Sequence, residues 1–267
     1  MSNPIALAIH GAAGRMGRRL VALGSQDPEL QIVAAIDHSK SPFLGHDAGG
    51  VAGVQSLGVM IQDRWPEGIE ALIDFSSPEG CMHAVRGCVE RNIPIVVAST
   101  GLSPEQVQTV RDAGKHIPVC YAPNMSLAVN LTMKLVQQAA KALKAVSSGV
   151  DVEIIERHHR FKEDSPSGTA LKFGQIVADE MNLTEHVHGR EGQVGQRKRT
   201  EIGYHAVRVG DDPGQHTIIF GMMGETIELR VAASNRDCYA SGALAAAKFV
   251  SGKPAGLYNM FDVLGLD

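Results

Sequence analysis

The sequence predicts an α/β chain: a doubly wound parallel sheet, then a second α+β unit built on a mixed or antiparallel sheet. Three observations carry this. Apolar, β-branched runs alternate with amphipathic runs through the first half; the first such run enters a glycine-rich turn, HGAAGRMG, at His10 to Gly17; and beyond residue 150 short runs are separated by Gly, Asp and Pro turns.

Each element follows from local pattern. Pro4 to Ile9 is a short apolar run, and Leu20, Val21 and Leu23 follow the glycine turn at helical spacing, so strand, turn and helix are expected there. Gln31 to Ile36 is the next strand and ends at Asp37, whereas Ser39 to Gly58 is rich in Gly and Ser and reads as a long loop. The alternation then resumes: strand Ile69 to Phe75, helix Pro78 to Arg91, strand Ile93 to Ala98, helix Pro104 to His116, strand Ile117 to Ala122. Ser126 to Ala145 is one amphipathic segment, with Leu127, Leu131, Leu135 and Val136 expected on one packed side. Asp151 to Arg157 reads as a strand ending at His158. Ala170, Leu171, Phe173, Ile176 and Val177 mark a helix, and Glu201 to Val209, Gln215 to Gly221 and Glu225 to Ala232 mark three more strands. An alanine-rich helix, Ala240 to Val250, is expected to return to the first unit.

Composition narrows the function classes. With 267 residues and 44% hydrophobic content the chain can bury one large core or two moderate ones, and two are expected. A formal charge of −4 offers no general attraction to nucleic acid, and the Arg197-Lys198-Arg199 cluster is short enough to be a solvated loop. The four cysteines, Cys81, Cys88, Cys120 and Cys238, form no C-x-x-C pair and read as reduced, structural thiols. No apolar run approaches membrane-spanning length and no basic leader precedes the first strand, so a cytoplasmic protein without membrane partners is expected.

The glycine turn is the first chemical signal. Its spacing is Gly11-x-x-Gly14-x-x-Gly17, with Ala12 and Ala13 between the first two glycines and Arg15 and Met16 before the third, a variant of the dinucleotide fingerprint. A plain turn in a parallel sheet would look similar, but Asp37 stands at the end of the second strand, about 20 residues on, where an acid binds the adenosine ribose hydroxyls. That carboxylate repels a 2′-phosphate, while His38, Lys40 and Arg15 partly offset it, so NADH is expected to serve at least as well as NADPH. Further turns follow strand ends at Phe75 to Pro78, at Ala98, Ser99, Thr100 and Gly101, and at Ala122, Pro123, Asn124, Met125 and Ser126. In an open α/β sheet such turns line the ligand.

The second signal is EIIERHHRFKEDSPSGTA, Glu153 to Ala170. His158 and His159 are adjacent at a strand end, so they face opposite sides and take different roles. Lys162 follows closely enough to bring an ammonium to the same pocket, where burial and neighbouring charge would make it a better acid. Ser167, Gly168 and Thr169 open a helix whose free amides can cradle a carboxylate or phosphate, Gly168 allowing close approach. A metal site and an ordinary helix cap are the competing readings of the two histidines and of the turn; adjacent histidines at a strand end suit acid–base work better than chelation.

GAAGRMG, ASTG, APNMS and above all E-x-H-H-x-x-K-x-D-x-P-S-G-T-A together resemble bacterial dihydrodipicolinate reductase, also called 4-hydroxy-tetrahydrodipicolinate reductase, over nearly the whole chain. The resemblance implies a metal-free enzyme that uses NADH or NADPH to reduce a cyclic unsaturated dicarboxylate in the diaminopimelate route to lysine, and a homotetramer. It implies residues 1–126 as dinucleotide-binding domain, 127–238 as substrate-binding and oligomerisation domain, and 239–267 as the return to the first. By position it implies His158 as general acid/base, Lys162 as second proton donor, and His159, Ser167, Gly168 and Thr169 as substrate-carboxylate site. Gly11 to Met16, Asp37, His38, Ala98 to Thr100 and Ala122 to Met125 correspond to cofactor contacts. Some relatives carry arginine where this chain has His38 and a basic residue at Ser77, which leaves the choice of nucleotide open.

Two rivals remain. A related oxidoreductase such as aspartate-semialdehyde or homoserine dehydrogenase would need a nucleophilic cysteine or a carboxylate–lysine hydride site that has no convincing place here. A non-catalytic nucleotide sensor would have no use for His158, Lys162 and the Pro-Ser-Gly-Thr turn together.

Overall fold

The computed structural model describes residues 3–266. It divides into two compact units, one made of residues up to Leu127 together with those from Asp237 onward, the other Ala128–Arg236.

The first unit carries strands β1 (Ile5–His10), β2 (Leu30–Ile36), β3 (Ile61–Gln62), β4 (Ala71–Asp74), β5 (Ile95–Val97), β6 (Pro118–Tyr121) and, late in the chain, β12 (Gly256–Tyr258). Every pairing is parallel and the order is β12-β6-β5-β4-β1-β2-β3, the doubly wound arrangement expected. Strands buried on both faces need apolar side chains at successive positions, which is why IALAI and LQIVAAI lack polar alternation. Leu7 and Ile9 join one core, with Leu20 and Val21 of α1 (Arg15–Gly24) and Ala243 and Ala247 of α7 (Asp237–Val250). Ala8 turns to the opposite core, with Val85 of α3 (Pro78–Arg91) and Val110 of α4 (Pro104–Ala113). A crevice opens where the strand order reverses, between β1 and β4, and there ligands bind in this class of sheet.

The Ser39 to Gly58 stretch is less irregular than expected. It contains a short helix, α2 (Ala48–Ala52), and the Asp47 carboxylate gathers the amides of Gly50, Leu57 and Gly58 at 2.9, 3.2 and 2.8 Å. One side chain thus replaces the apolar pattern that would have betrayed the order.

The second unit has a mixed sheet in the order β11-β10-β7-β9-β8, formed by β7 (Asp151–His158), β8 (Glu185–His188), β9 (Glu201–Arg208), β10 (Gln215–Met222) and β11 (Glu225–Ala232). β10 is antiparallel to β7 and β11, and β9 is parallel to β7 and β8. Residues 152, 154, 156 and 158 of β7 face inward, and Phe173 and Val177 of α6 (Gly168–Met181) are buried in the same unit. Gly174 permits that contact: a Cβ there would stand 1.7 Å from the Tyr204 hydroxyl of β9. β8, reading EHVH, escaped the sequence pattern because its alternation is polar.

The helix α5 (Leu127–Leu143) forms as expected, but of the residues expected on its packed side Val136 is buried and Leu127 partly so, while Leu131 and Leu135 are not. Its buried residues include Val129, Met133, Val136 and Ala140, while Leu131 and Leu135 are 42% and 47% exposed. At 3.6 residues per turn the leucine stripe lies opposite the buried one, so hydrophobicity located a face without saying which face this chain covers. Among the described residues no helix is long and apolar enough to cross a membrane.

Candidate active site

In the first unit, β1 runs into a turn that only glycine can make. Gly11 has φ +79°, and a Cβ on it would meet the Phe75 carbonyl at 2.8 Å; one on Gly17 would stand 2.1 Å from the Gly11 carbonyl, so α1 packs directly on the turn. Gly14 caps α1 without a side-chain hydrogen bond. The Asp37 carboxylate closes the arrangement from β2, taking the amides of Ala13 and His38 at 2.8 Å each. Each oxygen keeps a lone pair for a ribose hydroxyl.

A cavity of about 940 Å³ lies over this turn, and its lining includes Gly11, Ala13 to Met16, Asp37 and His38 together with His10, Ser76, Glu79 and His83. Glycines that admit close backbone approach, an uncapped helix start and a carboxylate with spare acceptors fit a dinucleotide. Ala12 is buried beneath the turn. Ala98 to Thr100 and Ala122 to Met125 follow β5 and β6 in the same sheet but do not line this cavity. Ala98, Ala122 and Met125 are buried, and the Ser99 hydroxyl is committed to Asp74 at 2.6 Å, so Ser99 has only its backbone to offer a ligand.

Sequence reasoning did not single out His10 or Asp74, whereas Ser76 belongs to the Phe75 to Pro78 turn expected at the ligand, and Phe75, Ser76 and Ser77 do line this cavity. Asp74 is fully buried and accepts from His10 Nδ1 at 2.7 Å and from the hydroxyls of Ser76 and Ser99, each at 2.6 Å. Polar residues ending two strands that pair in parallel were the available signal.

In the second unit, inward alternation along β7 puts Glu156 and His158 on one face. His158 Nδ1 lies 2.5 Å from Glu156 Oε2, and Arg208, from β9, grips both Glu156 oxygens at 2.8 Å each. The remaining acceptor of Glu156 takes the Ser167 amide at 3.0 Å. Burial works to raise the Glu156 carboxyl, but the hydrogen bonds from Arg208 and His158 outweigh it and hold it below its ordinary value. Burial also pushes the His158 imidazole below its usual value, against the pull of Glu156, and the Lys162 and Arg208 charges act in the same direction as burial.

Lys162, in the turn after β7, is ion-paired with Asp164 at 2.7 Å, so a carboxylate rather than an apolar wall is its immediate company. Ser167 caps α6, its hydroxyl accepting from Ala170 N at 3.1 Å and meeting His216 Nε2 at 3.0 Å. His216 sits edge-on to His158, ring centroids 5.2 Å apart, and burial followed by the nearby His158 lowers it to about 4. A Cβ on Gly168 would meet nothing within 4 Å, leaving the helix start open above it. His159 takes the alternate side, beside Phe161, with its Nδ1 buried and unbonded. His158, Lys162 and Ser167 therefore converge, and His159 borders that cluster from the alternate side, its carbonyl accepting from the Lys162 amide at 3.1 Å. Glu156 was legible as the residue two before His158 on a strand; Arg208 and His216 come from other strands and were not. Among the described residues no group of three or more His, Cys, Asp and Glu is gathered for a metal.

Comparison with known proteins gives this pairing of sites a family. Residues 5–125 match the model "Dihydrodipicolinate reductase, N-terminus" and residues 128–264 the model "Dihydrodipicolinate reductase, C-terminus". The chain is 60% identical to the 4-hydroxy-tetrahydrodipicolinate reductase of Rhodopirellula baltica, covering 99% of this chain and 98% of that one. It is 46% identical to the reductase of the same name from Syntrophotalea carbinolica, over 98% and 99% of the two. A solved structure, dipicolinate-bound dihydrodipicolinate reductase from Paenisporosarcina sp. TG-14, superposes with a TM-score of 0.76 at 26% identity over 97% and 98% of the chains. With both halves matched and relatives aligned almost end to end, the chain belongs to the dihydrodipicolinate reductase family.

Proposed function

We propose that the first unit holds NADH or NADPH through Gly11 to Met16, Asp37 and His38, that the second unit binds a cyclic dicarboxylate, and that His158 and Lys162 supply the proton that completes its reduction. The chain is an NAD(P)H-dependent oxidoreductase, and its reaction is the reduction of 4-hydroxy-tetrahydrodipicolinate to tetrahydrodipicolinate in the diaminopimelate route to lysine. When bound, the reduced dinucleotide supplies the hydride. The protein's own part is to hold the substrate's two carboxylates in positive potential, from the α6 start with Ser167, Gly168 and Thr169 and from His159 and Lys162, and, once the 4-hydroxyl has left as water to give the conjugated imine, to protonate the ring nitrogen as electrons move onto it. The single observation that carries this reading is the Glu156–His158–Ser167 cluster with Lys162 beside it: an oriented acid–base group next to an open, amide-lined helix start.

The Asp37 carboxylate supports use of NADH at least as well as NADPH, since it would repel a 2′-phosphate while accepting ribose hydroxyls. The turns at Ala98 to Thr100 and Ala122 to Met125 would complete the cofactor contacts. The outer face of the mixed sheet, where Ile155 is 39% and Val207 42% exposed, supports a homotetramer built across it. The buried free thiols of Cys81, Cys88 and Cys120 and a biosynthetic role suit the cytoplasm. The test is oxidation of NADH followed with freshly generated 4-hydroxy-tetrahydrodipicolinate and, separately, with aspartate semialdehyde: turnover with the first alone is expected. Turnover with the second alone, or nucleotide binding without any turnover, would replace this reading with one of its rivals.

A further inference from the structure

Glu156 is only 1% exposed, and a buried carboxylate is costly unless fully partnered. Four donors converge on it. Oε2 faces His158 Nδ1 at 2.5 Å and one Arg208 nitrogen at 2.8 Å; Oε1 takes the Ser167 amide at 3.0 Å and the other Arg208 nitrogen at 2.8 Å. An ionised carboxylate only accepts, so the proton in the Glu156–His158 bond belongs to His158 Nδ1, and Nε2 is the nitrogen left to gain and lose a proton. Gly214 leaves room at that atom, because a Cβ there would stand 2.9 Å from it.

Arg208 answers a second requirement. The charged and titratable groups facing His158 are Glu156 on its own strand, Lys162 and Asp164 from the following turn, Arg208 from β9, His216 from β10 and Asp212 from the turn before β10, itself paired with Arg157 at 2.6 Å. An unopposed carboxylate at this distance would strengthen the imidazole's hold on its proton. The guanidinium, bound through both of its terminal nitrogens, offsets that pull. It also donates to the Asp164 carbonyl at 2.7 Å, which ties the Lys162 turn to the same pair.

We propose that Glu156 and Arg208 are a positioning pair for the acid–base His158: Glu156 fixes the Nδ1–H tautomer and fastens β7 to the start of α6, while Arg208 offsets the carboxylate so that the imidazole can release its proton. This rests on the reading of His158 as a proton donor. The experiment is ¹⁵N NMR titration of the His158 imidazole in the full chain, with the pH profile of kcat alongside. The native protein is expected to show the Nδ1–H tautomer when neutral. Glu156→Gln should lower the midpoint and Arg208→Met should raise it, each by about one pH unit or more, with the kcat profile following. A pair with a merely structural role would shift both midpoints the same way or not at all, and either result overturns the proposal.

Arg208→Lys, which keeps the charge and gives up the fork, should stay within a few tenths of a unit of the native midpoint; a shift as large as that of Arg208→Met would count against the offset role. If the Glu156 and Arg208 variants fail to fold, the native tautomer decides alone, and an Nε2–H form overturns the assignment. The two readings fail separately: His158→Gln with native kcat would remove the proton-donor role whatever the titration shows, and a native Nε2–H tautomer would remove the pairing whatever the turnover.

Discussion

His10 and Asp74 stand side by side at the ends of β1 and β4, paired in register, with His10 Nδ1 2.7 Å from Asp74 Oδ1. Those two strands flank the point where the sheet order reverses, and His10 lines the cavity over the glycine turn with Asp74 fully buried behind it. Asp74 also holds Ser76 and Ser99, which fixes the turns after β4 and β5. Asp74→Ala strands two buried donors, His10 and Ser99, each costing about 1–3 kcal/mol, and releases the half-buried Ser76 hydroxyl. Chemical unfolding should show a loss of about 2 kcal/mol or more, together with a weaker Kd for NADH. Unchanged stability would mean that the network does not organise the cavity.

Asp37 makes the nucleotide preference a matter of one charge. In the native enzyme kcat/KM with NADH should equal or exceed that with NADPH. Asp37→Asn, which removes the charge while keeping an acceptor for the Ala13 amide, should move the NADPH/NADH ratio toward NADPH by about tenfold, roughly 1.4 kcal/mol. A strong native preference for NADPH would refute the electrostatic argument.

His216 gives stability a pH dependence with a defined sign. Its folded value of about 4 lies below the ordinary 6.5, because burial opposes its charge. As pH falls below 6.5 the unfolded chain takes up a proton that the folded chain refuses, so stability present above that pH is lost until the folded group also titrates near 4. The loss assigned to this residue is about 3 kcal/mol. Denaturant unfolding from pH 7 to pH 4 should decline more steeply for the native chain than for His216→Gln; parallel curves would show that His216 titrates normally.

The outer face of the mixed sheet supplies a test of assembly. Ile155 lies exposed on that face in the middle of β7, and a tetramer built across the face would bury it. Light scattering after size exclusion should find a tetramer for the native chain and smaller species for Ile155→Glu, with the monomer's circular dichroism retained. A native monomer would contradict the proposal.

What was legible in the sequence depended on how local its cause is. The helix Pro78–Arg91 was read to the residue, because Ser77 caps it, Pro78 opens it and Asn92 ends it in the left-handed region. The strand ending at His158 was equally clear, since Val152 and Ile154 alternate with exposed positions. Choices made by tertiary packing were not legible. Leu131 and Leu135 looked like the buried face of α5 and are its exposed one. Arg208 reaches Glu156 only because β9 runs parallel to β7 in a register that sets His158 beside it, and no spacing along the chain encodes that. Asp37 fell between these cases: its place at a strand end was predictable, but its bond to the Ala13 amide required the folded turn.

The most direct measurement is steady-state turnover of His158→Ala and Lys162→Ala with saturating NADH and 4-hydroxy-tetrahydrodipicolinate. General acid catalysis by these two groups predicts that each variant binds NADH as the native chain does while kcat falls by about 10²–10⁴-fold. If both variants keep the native kcat, the proton comes from elsewhere and the site has been assigned to the wrong residues.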